Sequence, residues 1–299
     1  MPGVGLPGDG NRVKTALVNR RLAAAVLIVL ALGACARPKS APVGNTDQLE
    51  TDIDQHMGGE GACVILADAK TGVVLYQYNT DKVCKARLPP CATFNIVTAL
   101  IGLDSGAITP KTVVKWDGSP QPVKAWETDA DLAQAWKSGI GWWFQKLAAD
   151  VRHDRYQAAL NSFGYGDRDL AGPPNDFWDG PQAGGKLALS THEQVDFLRK
   201  LFSGGLPVGP AATTAVDGLM QDETRTGKNG KYVMADSSGA CASAPDGSTS
   251  VAWWVGRLTS PTRDIVFAAT INGETAPPGQ ELQDTGKDVF ADAGLWPQG

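Results

Sequence analysis

The chain has 299 residues, 42% of them apolar and 20% charged, with nine tryptophans. That is enough apolar material for one large domain or two ordinary ones, and it excludes an intrinsically disordered chain. A formal charge of -5 leaves no basic footprint for nucleic acid. His56, His153 and His192 lie too far apart in sequence to give zinc-ligand spacing, so neither a metal nor a cofactor is expected.

The N-terminus carries an export pattern. Arg12, Lys14, Arg20 and Arg21 precede an apolar run from Leu22 to Ala34, which closes on Leu32-Gly33-Ala34-Cys35. The run is shorter than the roughly 18 residues that a membrane-crossing helix needs. A basic head, a short apolar stretch and small residues before a cut describe a secretory signal. The closing tetrapeptide resembles the bacterial lipobox, which implies cleavage before Cys35 and lipid on its sulfur; an uncleaved anchor helix is the alternative. The expected address is the bacterial cell envelope, lipid-anchored and facing the periplasm. Ala36 after Cys35, rather than Asp, favours the outer membrane in a Gram-negative organism. With Cys35 lipidated, Cys63, Cys84, Cys91 and Cys241 remain. An even number in an exported chain favours disulfides, with three pairings open.

Residues 36 to about 58 are polar, carry Pro38, Pro42, Gly58 and Gly59, and show no apolar periodicity, as a tether does. The expected division is therefore 1–34 as signal peptide, 35–58 as flexible tether and 59–299 as the folded domain. Cys63 to Ala67 and Val73 to Tyr78 predict two strands turned around Asp68-Ala69-Lys70-Thr71-Gly72, a hairpin. From about 92 to 225 the chain is predicted to be mostly helical. Phe94, Val97, Leu100 and Ile101 suit a helix buried on most sides. Ser190 and Glu193 form a capping-box pattern ahead of Val195, Phe197, Leu198 and Leu201. Strands return at Tyr232–Ala235, Val251–Leu258 and Ile265–Ile271, and a last helix is predicted over Asp284–Leu295. Strands at both ends with helices between them imply an α+β fold, a sheet closed by both termini with a helical region inserted.

Several segments, in order and spacing, resemble the class D β-lactamases and the penicillin-binding transpeptidases related to them. They are Lys115-Trp116-Asp117-Gly118, Phe163-Gly164-Tyr165-Gly166-Asp167, Phe177-Trp178-Asp179-Gly180, Glu193-Gln194-Val195-Asp196-Phe197-Leu198 and Val251-Ala252-Trp253-Trp254-Val255-Gly256. The resemblance covers roughly residues 60 to 297 and implies the β-lactamase/transpeptidase-like fold with an antiparallel sheet. It also implies a Ser-x-x-Lys motif opening the central helix. There the serine attacks the lactam carbonyl, and the lysine one turn later, carbamylated in class D, removes its proton. Spacing of three puts both groups on one helix face, where the base can reach the nucleophile.

Here the segment reads Pro90-Cys91-Ala92-Thr93-Phe94-Asn95. Ala92 stands in the serine position and Asn95 in the lysine position. A methyl cannot attack, and an amide has no useful basicity and cannot carry a carbamate. The second motif survives as Ser138-Gly139-Ile140. The Lys-Thr-Gly motif is replaced by Ser237-Ser238-Gly239, which removes a cation that helps hold the substrate carboxylate. Arg225-Thr226-Gly227 is a decoy in a polar loop ahead of that strand. The family's arginine before the last helix is missing too, since Lys287 is the only basic residue between Ala276 and Gly299. Concerted losses point to a relaxed, pseudoenzyme-like site.

Backbone features are independent of these side chains. The resemblance maps the two oxyanion-hole N–H groups to Ala92 and Ala240. Trp178 resembles the tryptophan that shields the carbamylated lysine; with Asn95 present, core packing is its expected role. Ser138 has the same ordinary alternative, and Lys124 and Lys137 are the lysines that spacing leaves open as its partners. Bridged cysteines in some class A relatives imply the pair Cys91–Cys241, leaving Cys63–Cys84. Trp142, Trp143, Trp253 and Trp254 invite reading as an exposed patch. The resemblance instead puts Trp253 and Trp254 in a central strand, where neighbours face opposite sides.

The expected ligand cleft is lined by Ala92, Ser138, Ile140, Trp178, Ser237, Ser238, Gly239 and Ala240. The expected function is an exported lipoprotein, catalytically inert, that binds a peptidoglycan-like peptide, a β-lactam or an envelope protein without a covalent bond. The alternative is an active β-lactamase or transpeptidase with a rearranged site.

Overall fold

The computed structural model describes residues 43–58 and 61–298. The expected signal peptide, Cys35 and the first part of the expected tether lie outside them. The predicted hairpin forms as β1 (Ala62–Asp68) and β2 (Val74–Tyr78). Asp68 closes its turn: the carboxylate accepts from the Thr71 N–H and from the Thr71 hydroxyl, each at 2.7 Å.

The chain then leaves the sheet for the predicted helical region. It runs through α2 (Asp81–Cys84), α3 (Asn95–Asp104), α4 (Leu132–Lys137), α5 (Gly141–Val151), α6 (His153–Phe163), α7 (Thr191–Phe202) and α8 (Pro210–Met220). Ile96 through Gly102 are all buried, so α3 is enclosed nearly all round, as its apolar residues require. At the start of α7 the capping box is complete. Ser190 Oγ accepts from the Glu193 N–H at 3.2 Å, and the Glu193 carboxylate accepts from the Ser190 N–H at 2.8 Å.

The chain returns as β3 (Gln221–Gly227), β4 (Gly230–Ala242), β5 (Ser250–Thr259) and β6 (Asp264–Gly273), and ends in α9 (Gly279–Asp292). All pairings are antiparallel, in the order β2-β1-β6-β5-β4-β3. The N-terminal hairpin thus docks on β6, and both ends of the chain build one sheet around the insertion: an α+β fold of the β-lactamase/transpeptidase-like type. Trp253 and Trp254 show why the sheet is two-faced. Trp253 joins the core under the helical region, and Trp254 joins a second core on the back, tilted against Phe267 and Phe290 at 4.4 and 4.8 Å between centroids.

Three expectations are corrected. Residues 46–56 are not tether but a helix, α1 (Thr46–His56), capped by the Asn45 side chain, which accepts from the Gln48 N–H at 3.2 Å. Leu49 and Ile53, one turn apart and fully buried, press with Val43 and Met57 on the back of the sheet. Two apolar residues in an otherwise polar segment make too narrow a stripe to read, and the partner that completes it is more than 200 residues away in α9 and β6. The folded domain therefore includes residues before 59. Arg225-Thr226-Gly227 lies not in a loop but in β3, an edge strand of alternating exposed and half-buried residues with no apolar face to signal it. The last helix starts at Gly279, a turn earlier than predicted.

Candidate functional site

β3 covers only part of β4, from Gly230 to Ala235. Beyond it β4 has β5 on one side. On the other side lies the single 3-10 turn Cys91–Phe94 that opens α3. This is the edge that the expected cleft would border. Within the turn Cys91, Thr93, Phe94 and Ile96 are buried, while Ala92 and Asn95 alone are half-exposed. The i, i+3 spacing has put these two on the one accessible side, as expected.

Ala92 meets Gly239 closely. A Cβ on Gly239 would lie 2.8 Å from Ala92 N and 2.9 Å from its Cβ, so only glycine permits the approach. Cys91 has a positive φ of 51°, donates its N–H to the Trp178 carbonyl at 3.1 Å, and bridges to Cys241 with Cα atoms 5.5 Å apart. The second bridge is Cys63–Cys84. Both pairs are those the resemblance implied.

No side chain at this position supplies nucleophilic chemistry. The Thr93 hydroxyl is turned inward and donates to the Pro90 carbonyl at 2.6 Å. Cys91 is oxidised. The Asn95 N–H donates back into the turn, to the Ala92 and Thr93 carbonyls, while its side-chain amide makes no hydrogen bond among the described residues. Trp178 is 4% exposed and stacked on Phe94 with centroids 5.2 Å apart. It is a packed aromatic over the helix start. Ser138 sits on the exposed turn after α4, and its carbonyl accepts from Trp126 Nε1 at 3.0 Å. Ile140 is buried behind it, in the same core as Phe94 and Trp178. Lys124 is engaged by Glu127 and Lys137 is exposed on α4, and neither hydrogen-bonds Ser138.

The strand separates the remaining candidates by face. Ser237, Gly239 and Cys241 share the side of Ala92. Asp236 and Ser238 turn to the back, where the Ser238 hydroxyl donates to Gln283 Oε1 of α9 at 2.9 Å. The expected lining is therefore corrected at Ser238, whose side chain is spent on α9. Ala240 pairs with Ala252 of the back core, so its methyl falls on that side too and only its backbone borders the cleft.

Two groups of carboxylates are buried without any sign of it in the sequence. Asp236 is fully buried, yet its Oδ1 has no hydrogen-bond partner. Its Oδ2 accepts from Trp254 Nε1 at 2.7 Å and Gln283 Nε2 at 3.0 Å, with Lys287 Nζ at 3.6 Å. Burial outweighs the Lys287 charge and pushes this carboxyl up to about 6. Asp179, beside Trp178, is likewise pushed to about 6 by burial and by the neighbouring Asp176. Asp176 itself is held by Gln145 Nε2 of α5 at 3.2 Å. A lone acidic residue in a strand or loop carries no pattern that announces burial, so neither group had a readable signal. No group of three or more His, Cys, Asp or Glu residues suited to a metal occurs among the described residues.

The sheet and the inserted helices define a β-lactamase/transpeptidase-like domain, and comparison with known proteins agrees. A family model for the penicillin binding protein transpeptidase domain matches residues 62–292. Beta-lactamase OXA-5 of Pseudomonas aeruginosa is 34% identical over 209 residues, covering 69% of this chain and 74% of that protein. Regulatory protein BlaR1 of Bacillus licheniformis is 28% identical over 237 residues, covering 77% of this chain but 38% of that protein. Among solved structures, the C-terminal domain of the Bacillus licheniformis BlaR penicillin-receptor matches with a TM-score of 0.72 at 26% identity, covering 83% of this chain and 96% of that one. A class D β-lactamase from Bacillus subtilis matches with a TM-score of 0.70 at 26% identity, covering 82% and 97%. This chain belongs to the penicillin-binding transpeptidase family and has class D β-lactamases among its relatives.

Proposed function

We propose that the protein is a catalytically inert member of this family, exported and lipid-anchored through Cys35 in the bacterial envelope, which holds its ligand in the cleft without a covalent bond. The observation that carries the reading is the pair on the accessible side of the first turn: a methyl at Ala92 and an amide at Asn95. Acyl transfer needs an oxygen or sulfur nucleophile with a proton acceptor in reach, and neither residue supplies one. Ligands of three kinds fit the family: a peptidoglycan-like peptide, a β-lactam or an envelope protein. The relative described as a penicillin-receptor supports the β-lactam among them. The backbone N–H groups of Ala92 and Ala240 do not depend on the lost side chains and would serve as donors to a bound carbonyl.

A fluorescent penicillin tests the reading on the purified protein. No denaturation-resistant label and no nitrocefin turnover are expected, while a rise in Tm with ligand would report binding. A stable label, on whatever residue, would establish instead the active enzyme with a rearranged site. Export and lipidation are tested by mass spectrometry of the membrane-extracted protein. An N-terminal lipid-modified cysteine at residue 35 is expected, and an intact N-terminus would overturn it.

A further inference from the structure

The six-stranded sheet ends on β2 and β3, and its two edges are built differently. β3 carries Asp222, Glu223 and Arg225, all held in ion pairs, the kind of charged guard that keeps an open edge from pairing with another chain. β2 reads Val-Leu-Tyr-Gln-Tyr, without a charge or a proline. Val73 and Val74 at its start are 53% and 43% exposed. No strand pairs with its outer side among the described residues. We propose that this edge takes an extended peptide with basic residues at alternate positions, added to the sheet as a further strand.

The strand supplies the first half of the recognition. An open edge presents backbone N–H and C=O groups, and an extended peptide satisfies them whatever its side chains. The register of β2 on β1 shifts between Tyr76 and Val74, so the regular row is short. Backbone pairing over so short a row selects nothing by itself, and charge has to select the peptide.

The charge comes from α1, which packs on the back face beside β2. The Tyr78 hydroxyl donates to Asp54. Burial pushes the Tyr76 phenol up, and the charges of Glu50 and Asp54 push it further. The Tyr78 phenol is raised by its bond to Asp54, by burial and by the same two charges. Glu50 and Asp54 therefore stand beside the edge. Asp47, Glu50 and Asp54 follow three- and four-residue spacing, so they share one side of α1, and all three are exposed. None enters an ion pair among the described residues, and α1 contains no lysine or arginine. A second copy of the chain is the wrong occupant. Joining two β2 strands antiparallel about a two-fold axis sets both copies of α1 on the same face, acid beside acid. A strand with basic side chains turned to the back meets the opposite charge.

The edge uses none of Ala92, Asn95, Ser138 or Ser237, so it stands or falls apart from the cleft reading. The test is an NMR titration of the 15N-labelled full-length chain with the peptide acetyl-(Lys-Thr)3-amide. Its controls are the same peptide N-methylated at every residue, which keeps the charge and loses the backbone donors, and acetyl-(Glu-Thr)3-amide. Saturable shifts in β2 and α1 that weaken as salt rises are expected with the lysine peptide. Binding at least about tenfold weaker is expected with the N-methylated peptide, and none with the glutamate peptide. Asp47→Asn with Glu50→Gln changes two exposed helix residues and should leave Tm unchanged while weakening the lysine peptide roughly three- to tenfold. Equal binding of either control, undiminished binding in the double variant, no shifts in β2, or dimerisation of the chain through β2 would overturn the inference.

Discussion

Positions 92 and 95 carry a methyl and an amide on the accessible side of the turn, and in the proposed reading these stand where an acyl-transfer catalyst needs a nucleophile and a base. If those two side chains were the whole difference, replacing them would confer activity. We expect Ala92→Ser with Asn95→Lys to recover little nitrocefin hydrolysis, because Ser237 leaves no cation on the cleft side of β4 to hold a substrate carboxylate. Adding Ser237→Lys should raise turnover above the double variant; equal turnover would show that the third motif is not the missing part. Asp236 makes a different prediction at the same scale. Its carboxyl is raised from 3.8 to about 6 by burial, so the folded state binds this proton more tightly than the unfolded chain does. Stability from this group is therefore fully present below about pH 4 and falls as pH rises through about 6. Asp236→Asn should remove that slope. Thermal melts between pH 4.5 and 7.5 should show the wild type losing stability relative to the variant as pH rises, and parallel curves would contradict the assignment. Asp179 acts in the same window and remains in both proteins, so it cancels from the comparison.

Among the elements, the first turn of α3 and the free edge of β4 are joined at two adjacent points: the Cys91–Cys241 bridge and the contact of Gly239 with Ala92. The bridge spans 150 residues of chain and so restricts a very large loop in the unfolded state. Cys91→Ser with Cys241→Ser should cost roughly 2–5 kcal/mol in denaturant unfolding without altering the far-UV CD spectrum. Gly239→Ala should cost about 1–3 kcal/mol, because its Cβ would sit 2.8 Å from backbone nitrogen rather than from a side chain that can move away. On the other face, a Cβ on Gly279 would lie 2.5 Å from Gly239 N, so β4 is held between two close backbones at this point. The glycine at 239 thus meets a packing need that no residue with a Cβ could meet without displacing its neighbours.

For the molecule as a whole, α1 decides where the folded unit begins. Leu49 and Ile53 are fully buried against the back core, worth together about 3–6 kcal/mol. A chain starting at residue 59 should therefore show a markedly lower Tm and bind a hydrophobic dye, whereas one starting at residue 43 should melt like the longer protein. The family match begins at residue 62 and leaves α1 outside it, so a boundary drawn from the family alone would remove a structural element.

Segments that carry their own periodicity were legible from residues alone: the β1–β2 hairpin, the enclosed helix α3, the capping box at Ser190 and the apolar strands β5 and β6. The methyl at Ala92 and the amide at Asn95 were legible directly, and the resemblance in motif order gave them their expected places. Tertiary structure alone decided the rest, because the deciding partner is distant in sequence. Leu49 and Ile53 become core only where α9 and β6 lie across them, β3 is a strand only because β4 pairs with it, and Ser238 leaves the cleft because Gln283 waits on the other face. Asp236 is an ordinary carboxylate in the sequence, and only the packing of Trp254 and α9 around it makes it a buried one. Local pattern specifies local structure; burial and side-chain direction belong to pairs of segments that meet after folding.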